Sequence, residues 1–212
     1  QLSVWVIPVL MAITMHEAAH GLAARLLGDD TAYRMGRVTL NPIKHIDLFG
    51  TILLPAVLIF TTSFIFGYAK PVPVNFAKLR KPKRDMFWVA LAGPAANIVM
   101  ALISGALLYV TPIMPEGFDI WWQEMLSVSV QLNIMLAVFN MLPLPPLDGG
   151  RVAVGLLPPA LARPLAKLER WGLFIILGAM IILPVIGRRL GLEIGLFEWL
   201  VLGPVYWIIG LI

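Results

Sequence analysis

Apolar residues fall in six runs, at about 2–27, 48–67, 86–111, 121–142, 171–187 and 196–212, separated by short polar or basic stretches. A helix rises 1.5 Å per residue and a bilayer core is about 30 Å thick, so the run 2–27 is long enough to cross. Gly28-Asp29-Asp30 stops it. Residues 31–40 (TAYRMGRVTL) carry β-branched and aromatic side chains without a helical stripe, and the pattern predicts a strand. Residues 68–75 (YAKPVPVN) read as a second extended segment, with Pro71 and Pro73 blocking one edge and the other free to pair. Between these segments, 48–67 has the length of a span but is interrupted by Pro55 and by Thr61-Thr62-Ser63. The run 121–142 ends at Pro143, Pro145 and Pro146, which force an extended backbone toward Asp148-Gly149-Gly150. Residues 150–170 read as a short interfacial helix with Arg163, Lys167 and Arg170 in water.

Composition makes this a membrane pattern. Of 212 residues, 59% are hydrophobic and only 13% charged, about half the charged share of a soluble domain. The expectation is an all-α polytopic membrane protein with five to six transmembrane helices, a re-entrant element and a small membrane-associated β segment. It forms one integral-membrane domain over 1–212. Six of the seven tryptophans (Trp5, Trp88, Trp121, Trp122, Trp171, Trp199) lie near segment starts, as in an interfacial belt. The net charge of +4 reads as loop charge obeying the positive-inside rule, not as a nucleic-acid footprint. With no cysteine, there is no thiolate nucleophile, and any metal is held by His, Asp, Glu or water. The sequence starts at Gln1, so native residues are expected ahead of it. The first run is not read as a cleaved signal peptide, because it holds the chemistry described next.

That chemistry is His16-Glu17-Ala18-Ala19-His20. Residues four apart on a helix return to one face, so His16 and His20 can hold one metal ion between them. Glu17 lies beside them, placed to take a proton from a water on that metal. Two of the three histidines are used here, at a depth where ionisable residues are costly and usually functional. The third, His45, lies in a polar loop and reads more readily as a loop residue than as a ligand or gate.

A zinc site with two histidines normally takes a third protein ligand, and Asp148 is the best choice. To reach the histidines it must lie on the membrane face where the first helix ends. A full crossing by 48–67 places the two motifs on opposite faces, whereas a re-entrant 48–67 places them together. Charge agrees. A full crossing leaves six of the 16 Lys and Arg (Arg25, Arg34, Arg37, Lys44, Arg188, Arg189) on the outer face, and a re-entrant element leaves only Arg188 and Arg189 there. The active site is thereby expected nearer the cytoplasmic face.

HEAAH at 16–20, GPAAN at 93–97 and NMLPLPPLDGG at 140–150 occur in the order and context that resemble the site-2 protease family of intramembrane zinc metalloproteases, over about residues 1–155. LNPIKHID at 40–47 and AKPVPVN at 69–75 resemble its short branch, without PDZ or CBS domains. The resemblance implies that His16, His20 and Asp148 bind one Zn2+ per chain and that Glu17 is the general base. It implies that Asn140 helps hold the substrate peptide near the scissile bond, and that 31–40 or 68–75 clamps unwound substrate by strand addition. The implied substrate is a transmembrane protein and the implied setting a prokaryotic cell membrane; neither a particular substrate nor an oligomeric state is specified. Asn97 reads first as a helix-packing residue. A metal transporter, which needs further ionisable residues along a path through the bilayer, and a non-catalytic scaffold are the competing readings.

Overall fold

The computed structural model describes residues 2–61, 67–191 and 195–211, and every element in them is helical. Helix α1 spans Leu2–Leu26 and tolerates Pro8 within it, as helices in a membrane setting do. It ends where Gly28 takes a left-handed φ of 115° and Asp29 N–H bonds back to Ala24 O at 2.8 Å. A Cβ at Gly28 would also approach Lys78 O at 3.2 Å.

The strand expected over 31–40 is not formed. Thr31–Arg34 is instead one helical turn, α2. Gly36 turns the chain at φ 62° and Arg37 N–H bonds to Ala32 O at 2.9 Å. The cause is local turn chemistry: Asp29 Oδ1 accepts from both the N–H and the hydroxyl of Thr31, so the chain curls before its β-branched residues can pair. Among the described residues there is no strand, and the expected β segment is absent.

The stretch 48–67 folds back on itself. A π-helical turn at Leu48–Leu53, capped by Asp47 Oδ1 on the N–H groups of Phe49 and Gly50, leads into α3, Leu54–Thr61. Tyr68 N–H then bonds to Gly50 O at 3.0 Å, and Thr51 Oγ1 donates to Tyr68 O at 3.0 Å. The two ends of the stretch are therefore neighbours. Residues 62–66 lie outside the described set.

Residues 68–75 form a strap with neither helix nor sheet. Its backbone is tied by side chains from elsewhere. Asp29 Oδ2 accepts from Asn75 N–H (2.6 Å), Glu17 Oε2 accepts from Val72 N–H (2.7 Å), and Arg37 donates to Lys70 O (2.8 Å) and Pro71 O (3.4 Å). The buried His45 donates from Nε2 to Thr39 O (2.9 Å), and its carbonyl accepts from Lys70 N–H (2.8 Å). Because a carbonyl only accepts, Nε2 carries the hydrogen.

Pro82 opens α4, Pro82–Leu108, after the exposed basic run, and α5 follows over Phe118–Asn140. These two pack on each other and both pack on α1. After α5 the chain turns through Pro143–Pro146 into α6 (Asp148–Leu156) and α7 (Pro159–Lys167), so the region read as one interfacial helix is two. Helix α8 (Glu169–Leu177) continues through a π-helical stretch into α9 (Leu183–Arg189). Another π-helical stretch, Glu198–Leu202, leads into α10 (Gly203–Ile209). Ala101, Val130, Ile134, Val201 and Val205 form the main core where α4, α5 and the C-terminal helix meet.

Among the described residues three helical stretches are long and apolar enough to cross a bilayer: Leu2–Leu26, Pro82–Leu108 and Glu169–Gly187. Leu48–Thr61 and Glu198–Ile209 are apolar but shorter. Helix α5 has 23 residues, but Gln123, Glu124, Gln131 and Asn133 dilute its apolar character.

Asp29 is fully buried. Burial pushes its carboxyl up, but the hydrogen bonds from Thr31 and Asn75 and the charge of Lys78 outweigh this and hold it below the ordinary 3.8. Such a group stabilises the fold above 3.8, and that stabilisation is lost as pH falls through the lowered folded value. Asp29→Ala, which orphans buried donors, is expected to cost about 1–3 kcal/mol at pH 7. Thermal melts in detergent should show the gap between wild type and variant narrowing below 3.8.

Candidate metal centre

Helix α1 presents His16 and His20 to α4, and both are buried. Their rings meet edge to face with centroids 4.6 Å apart. Room for them comes from Gly93 on α4. A Cβ there would lie against His20 Nε2, and at 2.7 Å from His16 Cε1. The third group, Asp148, is the first residue of α6. The turn that delivers it is tight: a Cβ on Gly149 would overlap Met141 O, and one on Gly150 would overlap Pro145 N. A glycine-flanked Asp148 at a proline-rich turn was legible in the sequence, and the packing gives the reason for both glycines.

Hydrogen bonds fix which ring nitrogen of each histidine is protonated. His20 Nδ1 lies 2.7 Å from Val89 O. A carbonyl only accepts, so Nδ1 carries the hydrogen, and in the neutral ring Nε2 carries the lone pair. His16 Nδ1 lies 2.6 Å from Asn97 Oδ1. The amide end of Asn97 donates to Ala12 O at 3.2 Å and to Asn133 Oδ1 at 2.8 Å, so its oxygen faces His16, and His16 too is the Nδ1–H form.

The two Nε2 lone pairs therefore converge. They are 3.0 Å apart, and Asp148 Oδ2 lies 3.1 Å from His16 Nε2 and 3.3 Å from His20 Nε2. Asp148 Oδ2 is buried without a hydrogen-bond donor. Three acceptors with no proton between them repel one another unless a cation sits among them. Among the described residues, His16, His20 and Asp148 are the one group of three or more His, Asp or Glu with donor atoms clustered for a metal, all within 4.8 Å. Two imidazoles and a carboxylate suit zinc in a site that keeps a position open. Each imidazole is held from behind by a backbone carbonyl or amide oxygen, as metal-ligating histidines usually are.

The other predicted residues fall outside this cluster. Glu17 is partly buried and holds the strap through Val72 N–H. Asn140 is the last residue of α5, and its Nδ2 bonds to Leu136 O at 2.9 Å within its own helix. His45 is not part of the cluster. Sequence reasoning gave Asn97 a packing role, whereas it is bonded to a ring of the site. The signal was available as an amide four residues after Gly93 in an otherwise apolar helix.

A buried His-His-Asp cluster between apolar helices is a candidate metal centre in a membrane setting. The match to known proteins agrees. The chain belongs to peptidase family M50, whose model matches residues 4–118 and 115–183. "Putative zinc metalloprotease YwhC" of Bacillus subtilis is 40% identical over 176 residues, covering 81% of this chain and 77% of that protein. "Putative zinc metalloprotease Rip2" of Mycolicibacterium smegmatis is 31% identical over 181 residues, covering 84% of this chain and 66% of that protein. No solved structure matches. The chain is thus a zinc metallopeptidase of the membrane, as the sequence motifs led one to expect.

Gly93→Ala tests the packing of the site. The added methyl must displace both imidazoles, so zinc affinity measured by chelator competition should fall by about 10–100-fold, the scale seen when a ligand's support is lost.

Proposed function

We propose that the chain hydrolyses peptide bonds in or beside the membrane-spanning segments of transmembrane protein substrates, with His16, His20 and Asp148 holding one zinc ion per chain. The observation that carries this reading is the convergence of His16 Nε2, His20 Nε2 and the unpartnered Asp148 Oδ2. Bound zinc supplies a Lewis acid and lowers the pKa of a water toward about 7. Glu17 is the general base. Its Oε2 is anchored on Val72 N–H, which fixes the carboxylate while the other oxygen takes a proton from the attacking water and later returns it to the leaving amine. Asn140, at the end of α5, contacts the substrate peptide near the scissile bond. To do so it releases its bond to Leu136 O.

The chain is read as one domain over 1–212 that crosses the membrane several times, with the site nearer the cytoplasmic face. Support comes from the exposed basic residues Lys78, Arg80, Lys81, Lys83 and Arg84 just ahead of α4, close in sequence to Val89, which holds His20. The bond between Tyr68 and Gly50 supports a re-entrant 48–67. Single cysteines placed at exposed Lys44 and Lys70 in this cysteine-free chain are expected to react with an impermeant thiol reagent from the same side. Labelling from opposite sides would mean a full crossing.

Zinc content and cleavage of a model transmembrane substrate, measured together in detergent, test the chemistry. Glu17→Gln should keep one zinc per chain and lose about 10²–10⁴-fold in cleavage. Asp148→Ala should weaken zinc by at least about 10–100-fold. Undiminished zinc in Asp148→Ala, or undiminished turnover in Glu17→Gln, would refute the respective assignment.

A further inference from the structure

A chain of buried polar side chains runs from His16 away from the metal cluster, into the interface of α4 and α5. His16 Nδ1–H donates to Asn97 Oδ1. Asn97 Nδ2 donates to Asn133 Oδ1 at 2.8 Å. Asn133 Nδ2 donates to Ser129 O at 2.9 Å and lies 3.3 Å from Ser129 Oγ, which pairs with Ser104 Oγ at 2.8 Å. Asn97 and Asn133 are both fully buried, with 0% exposure. In an apolar helix bundle, two amides and two hydroxyls are costly unless all are satisfied, and here each has a partner.

The direction of this chain is set at its far end. Ser129 O only accepts, so the NH2 end of Asn133 faces it and Oδ1 faces Asn97. Asn97 in turn must offer NH2 to Asn133 and its oxygen to His16. The two ends of an amide are nearly the same size, so the alternative is a flipped Asn97 presenting NH2 to His16 Nδ1. That flip requires the proton of His16 on Nε2, where it occupies the position a metal needs. Ala12 O alone restrains Asn97 at 3.2 Å; the shorter bond comes from Asn133.

We infer that Asn133, which touches neither histidine, is a positioning residue for the metal centre: through Asn97 it holds His16 in the tautomer whose Nε2 lone pair faces the metal. The inference rests on the reading of His16 as a zinc ligand.

The test uses the full chain in detergent, with zinc affinity from chelator competition and the 15N signals of the three histidines in zinc-free protein. Asn133→Leu should weaken zinc about tenfold and move the His16 signals from Nδ1–H toward a mixture of tautomers. Asn133→Ala gives the same reading without added bulk, should leucine prevent folding. Asn133→Asp, neutral in this apolar setting and able to accept from Asn97 while donating to Ser129 O, should restore both readouts. The double variant Asn97→Leu, Asn133→Leu should bind zinc no more weakly than Asn97→Leu alone, because one acts through the other. Wild-type affinity and tautomer in Asn133→Ala, or additive losses in the double variant, would overturn the inference. His16→Ala separates it from the parent reading: undiminished zinc in that variant would remove His16 as a ligand, whatever Asn133 does.

Discussion

Two imidazoles and a carboxylate are held so that each points a lone pair into the same small volume, inside a bundle with little water to relieve them. Val89 O and Asn97 Oδ1 each claim an Nδ1 hydrogen, which fixes the two rings and turns both Nε2 atoms toward Asp148. A cation among the three groups would satisfy all of them at once. The polar interior of the bundle serves to keep the rings so placed, including the hydrogen bonds that run out to Ser104 and Ser129.

Close approach of backbones is the second requirement, and glycine meets it. Gly93 lets α4 lie directly over the two rings, while Gly149 and Gly150 fold the turn after α5 back onto its own carbonyls. Gly172 on α8 does the same against Pro145 O, which locks the turn from the other side. In a membrane, helices gain little from burying apolar surface against one another, so packing and hydrogen bonding carry the association. Small residues here do more than pack: they bring the third metal-ligand candidate to a helix about 130 positions away in sequence.

The metal cluster was legible because helical periodicity by itself puts His16 and His20 on one face, and because charge and parity required Asp148 on the same side. Asn97 was visible as a lone amide in an apolar helix, but its partner was not, because no pattern within α4 reveals which residue of α1 it will meet. The misread strand at 31–40 has a different cause. Its β-branched residues suggest pairing, but Asp29 captures Thr31 first, and a side-chain-to-backbone bond two residues away forms without waiting for a distant partner. The apolar length of 48–67 by itself suggests a span, and only parity and charge argued for a re-entrant element; the bonds that join Tyr68 to Gly50 and Thr51 are contacts that hydropathy does not encode.

The strap 68–75 shows how the same sequence feature can serve a different end from the one its prolines suggest. An incoming peptide pairs with an extended segment through unoccupied N–H and C=O groups. Pro71 and Pro73 offer no N–H. The N–H groups of Lys70, Val72 and Asn75 are bonded to His45 O, Glu17 and Asp29, and the carbonyls of Lys70 and Pro71 to Arg37. The N–H groups of Ala69 and Val74 have no partner among the described residues. These two donors are separated by two prolines and by N–H groups already bonded, so in this conformation the strap offers no continuous run of free donors to a strand. What it does hold is Glu17: between two prolines, which stiffen the backbone on either side, Val72 presents its N–H to the proposed base. Arg37 and Asp29 anchor the strap on both flanks of that bond. The bonds that occupy the segment's donors are the same bonds that keep a carboxylate in place next to His16 on α1.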